Sequence, residues 1–174
     1  VCGLIYWRPE SHVIEACARA EVPKLICVGS VCAYPEHVVY PTGEAQLYEG
    51  RPERMNEPYG QAKRMQISLL DAYRRQYRLK STHLILGNLY GPGDTSGHVI
   101  PSTIRKFLQA KETGEPVVIW GTGTATREFL YVDDAARAVV SAALDWPIGD
   151  PVNIVSGEET SIAAMVDLVR QQIA

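Results

Sequence analysis

Three short apolar runs that do not alternate with polar residues constrain this chain more than any other feature. They are KLICVGS (24–30), STHLILGN (81–88) and PVNIV (151–155), with helical patterns between them. A strand that is apolar on both faces must be covered on both faces, and strands separated by helices pair in parallel. The pattern therefore predicts an α/β fold: a Rossmann-type parallel sheet with helices on both faces. Ser11 followed by HVIEACARA reads as a capped helix, and Asn56, Glu57 and Pro58 open another that runs to about Tyr77. PSTIRKFLQAK, DDAARAVVSAALDW and SIAAMVDLVRQQIA read as helices, the last opened by Thr160 or Ser161. VVIW (117–120) and EFLYV (128–132) read as short strands, and LYGPGDTSG (89–97) as a loop. Val31 to Glu57, rich in Pro, Gly and Tyr, is a long loop, and loops of that length in a compact domain are functional or disordered.

At 174 residues the chain has room for one domain with a real core. The expected division is a Rossmann core over about 1–90 and 129–155, with substrate-lobe segments over about 91–128 and 156–174. A net charge of -3 with no Lys/Arg stripe argues against a nucleic-acid partner. No apolar run approaches the roughly 20 residues that span a bilayer, and VCGLIYWRPE lacks the parts of a signal peptide. The cytoplasm is the expected compartment. Cys2, Cys17, Cys27 and Cys32 form no CxxC pair, so no metal site is expected; Cys17 and Cys27 read as small buried hydrophobes.

A dinucleotide-binding fold should open on a strand, a glycine-rich turn and a helix whose N-terminus takes the pyrophosphate. Nothing near the N-terminus fits. Gly121 to Gly123 continues as TATREF rather than into an apolar helix, and reads as a turn. Either the protein binds no dinucleotide or its first βα units lie outside this sequence. The abrupt apolar start and the stop inside a helix favour a fragment truncated at both ends.

Tyr59 and Lys63 lie four apart at the start of a helix, which puts both side chains on one face. A phenol titrates near pH ~10, and a neighbouring ammonium favours the phenolate, so such a pair can pass a proton to a sugar oxygen. Tyr-x-x-x-Lys alone is common by chance. Ser30 adds weight, because it ends a strand before a long loop and ligands of open α/β sheets bind at the carboxyl ends of strands. There it could donate a hydrogen bond to a substrate hydroxyl or carbonyl.

With GNLYGPGD and REFLYVDDAARA downstream, these residues resemble the extended short-chain dehydrogenases, the NAD-dependent epimerase/dehydratase family that modifies nucleotide sugars. VGSVCAYP, NEPYGQAK, HVIPSTIRKF and VVIWGTGTATREFLYVDD carry the likeness from about Lys24 onward. The resemblance implies NADP as cofactor, with NAD as the alternative, and a nucleotide-sugar substrate, a GDP-sugar being favoured. Val31 and Cys32 stand where the family's sugar dehydratases carry an Asp-Glu pair, so water loss is not expected. A thiol there resembles the epimerase-reductases, in which a Cys and a His exchange protons beside a 4-keto group; Cys32 and His98 occupy the matching positions. Thiol and imidazole both titrate near neutrality, which suits abstraction and return at carbons acidified by a ketone.

The family pattern further implies that Tyr59, Lys63, Leu86, Asn88, Leu89 and His98 line the cofactor. It places Arg127 near the sugar or its phosphate and Lys106 near the diphosphate, where both could equally be solvated surface charges. Trp120 is a stacking wall or a core aromatic, and Asp133 with Asp134 reads as a helix cap. Two departures stand out. Leu86-Gly87 replaces the usual Pro and small or branched residue, and the loop from Gly91 to His98 is short. The helix carrying Tyr59 and Lys63 also holds Met65, Ile67, Leu69, Leu70, Ala72 and Tyr73, more apolar surface than one stripe needs. By resemblance it pairs across a homodimer interface.

Overall fold

In the computed structural model the described residues are 4–173, so Cys2 lies outside them. The chain divides into two compact units: the chain through Gly87 with Ala135–Ile154, and Asn88–Asp134 with the chain from Val155.

The first unit is built on a parallel three-stranded sheet of β1 (Leu25–Ser30), β2 (Ser81–Leu86) and β5 (Val152–Ile154), in the order β1-β2-β5. Leu25 pairs with Ser81 and Ser30 with Leu86, so β1 and β2 end level with one another. Every residue of central β2 is buried, as its lack of alternation demands. β1 departs from the expected two-sided burial. Cys27 and Gly29 point inward, but Val28 is 41% exposed.

Helices α1 (Leu4–Arg19) and α2 (Glu57–Tyr77) pack on one another, and α2 also packs on β1 and β2. One core cluster joins Ile14, Cys27, Leu70 and Leu79; a second joins Ala33, Tyr34, Leu47, Ile67 and Ile85. The apolar surplus of α2 is largely consumed here. Ile67 and Leu70 are buried, Leu69 and Tyr73 pack at the edge of the first cluster, and only Ala72 of the six is exposed.

α1 begins well before Ser11. That residue is not a cap but sits mid-helix, its hydroxyl donating to the Arg8 carbonyl, and Pro9 is tolerated inside. Packing against α2 overrides the local breaker. The long loop is ordered, with 3-10 turns at Val31–Ala33 and Glu44–Tyr48 and a bridge between Pro35 and Pro52. Arg64, 7% exposed, reaches from α2 to donate to the carbonyls of Ala33 (2.6 Å) and Gly50 (2.7 Å). Asn153 of β5 ties the other side: its Oδ1 accepts from the Tyr34 hydroxyl and its Nδ2 donates to the Thr42 carbonyl.

The second unit holds β3 (Asn88–Tyr90), β4 (Thr126–Tyr131) and β6 (Glu159–Ser161), with β3 parallel and β6 antiparallel to β4. β4 thus lies wholly in this unit, whereas the sequence pattern placed residues from 129 in the core. β3 and β6 were not expected, each being a three-residue strand with no periodicity to read. The expected strand at VVIW is absent. Val117 and Ile119 are half-buried and Val118 and Trp120 exposed, the alternation of a strand, but among the described residues no strand pairs with it. α3 runs Val99–Thr113, ending at Gly114 with φ 74°, a left-handed C-cap that suits glycine. α5 (Ile162–Ile173) is capped by Ser161, whose hydroxyl accepts from the Ala164 amide. α4 (Val132–Leu144), which belongs to the first unit from Ala135 onward, starts one residue before Asp133 and Asp134, which sit in its first turn where the helix dipole favours acids. Gly121 and Gly123 both have positive φ and lead into β4, not into a helix.

Candidate active site

The level ends of β1 and β2 set the stage, since a parallel sheet presents the C-termini of its strands on one edge. β1 ends in Ser30, whose hydroxyl accepts from the Cys32 amide at 3.2 Å and caps the 3-10 turn that carries Cys32. The N-terminus of α2 is pressed against that turn. A Cβ on Gly60 would overlap the Cys32 carbonyl and lie 2.8 Å from the Cβ of Pro52, so only glycine lets the helix approach so closely. Gly60 therefore brings its neighbour Tyr59 to the Cys32 turn. Ser30, Cys32 and Tyr59 are all half-buried.

One turn along α2, the Lys63 ammonium lies 5.6 Å from the Tyr59 ring centroid. It donates to the Val28 carbonyl of β1 at 3.0 Å and to Glu10 Oε1 of α1 at 2.5 Å. The Tyr6 ring meets Tyr59 edge-on, centroids 4.9 Å apart. Neither Glu10 nor Tyr6 was expected from the sequence, because the helix appeared to start only at Ser11. Tyr6 and Glu10 are themselves four apart, the spacing that would have shown a second pair.

Beneath this group lies His83 of β2, also unanticipated. Its Nε2 faces Gln66 Oε1 at 2.9 Å, so the amide oxygen accepts its proton and Nδ1 is left buried and unpartnered. The ring sits over Gly29, where any Cβ would collide with it. Burial, and secondarily the Lys63 charge, push the His83 imidazole down to about 4. Burial likewise pushes the Cys27 thiol up to about 12, with Glu10 adding to the effect. Cys27 is an inert core thiol, as its apolar strand predicts. Leu86 ends β2 with its side chain buried in the same unit.

In the second unit, Asn88 and Leu89 are exposed, and Asn88 Nδ2 donates to the Glu128 carbonyl at 2.9 Å. His98 is exposed at the N-cap of α3; its amide, not its ring, donates to Ser96 Oγ. Lys106 is half-buried, donates to the Val118 carbonyl at 2.7 Å and lies 5.3 Å from the centroid of Trp120. Trp120 is 87% exposed, which excludes the core alternative. Arg127 is exposed on β4, with one guanidinium nitrogen on the neighbouring Thr126 carbonyl. No group of three metal-ligating side chains occurs among the described residues, and no helix among them is long and apolar enough to cross a membrane.

These observations define the class. Residues 8–154 match the NAD dependent epimerase/dehydratase family, and the chain belongs to it. A GDP-L-fucose synthase of Escherichia coli (strain K12) is 43% identical over 136 residues, 75% of this chain and 42% of that protein. A GDP-L-fucose synthetase of Naegleria fowleri, solved bound to NADP, superposes with a TM-score of 0.87 at 28% identity, over 98% of this chain and 57% of that one. A GDP-mannoheptose C4 reductase of Campylobacter jejuni with NADP bound gives a TM-score of 0.88 at 28% identity, over 94% and 58%. The chain spans about half the length of the curated relatives it matches.

Proposed function

We propose that this chain carries the proton-transfer half of a GDP-sugar epimerase-reductase, one that turns GDP-4-keto-6-deoxymannose into GDP-L-fucose with NADPH. The observation that carries the reading is the Tyr59–Lys63 pair held by Gly60 against the Cys32 turn, at the ends of β1 and β2. The fit to a dinucleotide is partial. An ammonium has three donors, Lys63 spends two on Glu10 and Val28, and the third suits a ribose hydroxyl. No residue of this sequence is assigned to the pyrophosphate.

NADPH, when bound, supplies hydride to the carbonyl carbon. Tyr59 gives its proton to the 4-oxygen, and Ser30 donates a hydrogen bond that polarises the carbonyl. Lys63 holds the ribose and keeps a positive charge by the Tyr59 ring. Cys32 takes and returns a proton at a carbon beside the ketone, and His98 has the partner role by family likeness. Leu86, Asn88 and Leu89 are given to the cofactor, and Lys106, Trp120 and Arg127 to the GDP-sugar, on the same basis. The reading includes a homodimer through α2, and sedimentation as a monomer at micromolar concentration counts against that part.

The test separates the two chemistries. Tyr59→Phe keeps the ring but loses the proton, so NADPH oxidation falls about a hundredfold or more while solvent deuterium still enters the sugar. Cys32→Ser leaves hydride transfer and slows the exchange, since a serine hydroxyl is too weak an acid near neutrality. Deuterium uptake by mass spectrometry is followed beside NADPH consumption. The likeness to a C4 reductase favours one alternative, reduction by Ser30, Tyr59 and Lys63 alone. Exchange unchanged by Cys32→Ser decides for that alternative and ends the epimerase part.

A further inference from the structure

Two side-chain pairs face each other across α1 and α2. On α2 they are Tyr59 and Lys63, one turn apart; on α1, Tyr6 and Glu10, also one turn apart. Ring meets ring and carboxylate meets ammonium. The ion pair is secluded, with 12% of the Lys63 side chain and 15% of the Glu10 side chain exposed. Glu10 Oε2 is buried with no partner. Such a pair is a poor device for stability, because desolvating two charges costs about as much as their attraction returns. A buried carboxylate oxygen left empty adds to that cost and calls for another reason.

We propose that Glu10 is a positioning residue, an anchor that holds the Lys63 ammonium so that its one remaining donor points away from the core. A lysine head on a four-carbon stem has many rotamers open to it, and one carbonyl does not hold it in place. Glu10 and the Val28 carbonyl approach it from two elements and take two of its three protons. What they leave is a single N–H in a defined direction, beside the Tyr59 ring that Tyr6 meets edge-on. The catalytic consequence rests on the function proposed above; the anchoring does not.

Amine acylation of the purified protein, read at Lys63 by peptide mass spectrometry with exposed Lys80 as reference, tests the anchor without cofactor or substrate. Glu10→Ala is expected to raise Lys63 labelling about fivefold or more, and Glu10→Gln, which keeps an acceptor, to fall between Ala and native. In turnover, Glu10→Ala is expected to lower kcat about tenfold with the sugar KM within about twofold, and Glu10→Gln to return to within about threefold of native. Unchanged Lys63 labelling in a folded Glu10→Ala protein overturns the anchor. Raised labelling with native kcat in an active protein overturns its catalytic purpose. A native protein that never oxidises NADPH, with the labelling contrast intact, sinks the proposed function and upholds the anchor.

Discussion

Lys63 and Lys106 invite comparison, because each sits about two turns into its helix and each bonds a backbone carbonyl. Lys63 adds a secluded carboxylate and two tyrosines that meet edge-on. Lys106 adds only the face of Trp120, a ring 87% exposed. The same contrast runs through their units. Around Lys63, side chains meet partners from α1 and β1, with buried His83 of β2 nearby, whereas Asn88 and Arg127 are exposed and bond single backbone carbonyls, and His98 is exposed at a helix start. A group that must act on a proton gains from a fixed position, while groups that grip a flexible ligand can be ordered by it.

The comparison is easiest to break at Arg64, whose two charge-assisted bonds hold the long loop to α2. Arg64→Ala is expected to cost roughly 3–5 kcal/mol in urea unfolding and to lower Tyr59-dependent turnover through the displaced Cys32 turn. A loss under about 1 kcal/mol would show that the apolar cluster and the Asn153 bonds hold the loop without Arg64.

His83 gives the next effect, through pH. Its folded value of about 4 lies below the ordinary 6.5, so the unfolded chain binds the proton more readily. The contribution is therefore complete above pH 6.5 and is lost as pH falls towards 4, on the order of 3 kcal/mol in all. His83→Gln removes that slope between the two values. An identical pH dependence in both proteins would mean that the imidazole protonates without leaving its site.

Trp120→Ala stands at the small end. It is expected to change stability by less than about 0.5 kcal/mol, since the ring is exposed, and, on the proposed function, to raise the KM for the sugar substrate. A stability loss of about 2 kcal/mol would erase the contrast between the units.

Much of the first unit was legible because its signals are local. Apolar runs marked β1, β2 and β5, and the spacing of Tyr59 and Lys63 was enough to place both on one helical face. The misses share a cause. VVIW has the alternation of a strand, but a strand needs a neighbour; β3 and β6 are too short to show a period, yet find β4. Ser11 looked like a cap, while the helix ran through Pro9 to put Tyr6 and Glu10 on α2. The homodimer inferred from α2 lost most of its sequence argument once Ile67, Leu69, Leu70 and Tyr73 proved engaged in the chain's own core.

Sequence by itself determined the α/β class, the order of most elements, and the placement of Ser30 at a strand end and of Tyr59 and Lys63 on one helical face, because periodicity and i,i+4 spacing act within a few residues. Tertiary structure alone decided that Glu10 lies 2.5 Å from Lys63, 53 positions away, and that Arg64 spans 31 positions to the Ala33 carbonyl. It also decided that His83 is buried with one nitrogen empty. These contacts arise where packed helices and strands exclude water, and a polar group's cost or use is set by the partners left within reach, which no local pattern encodes.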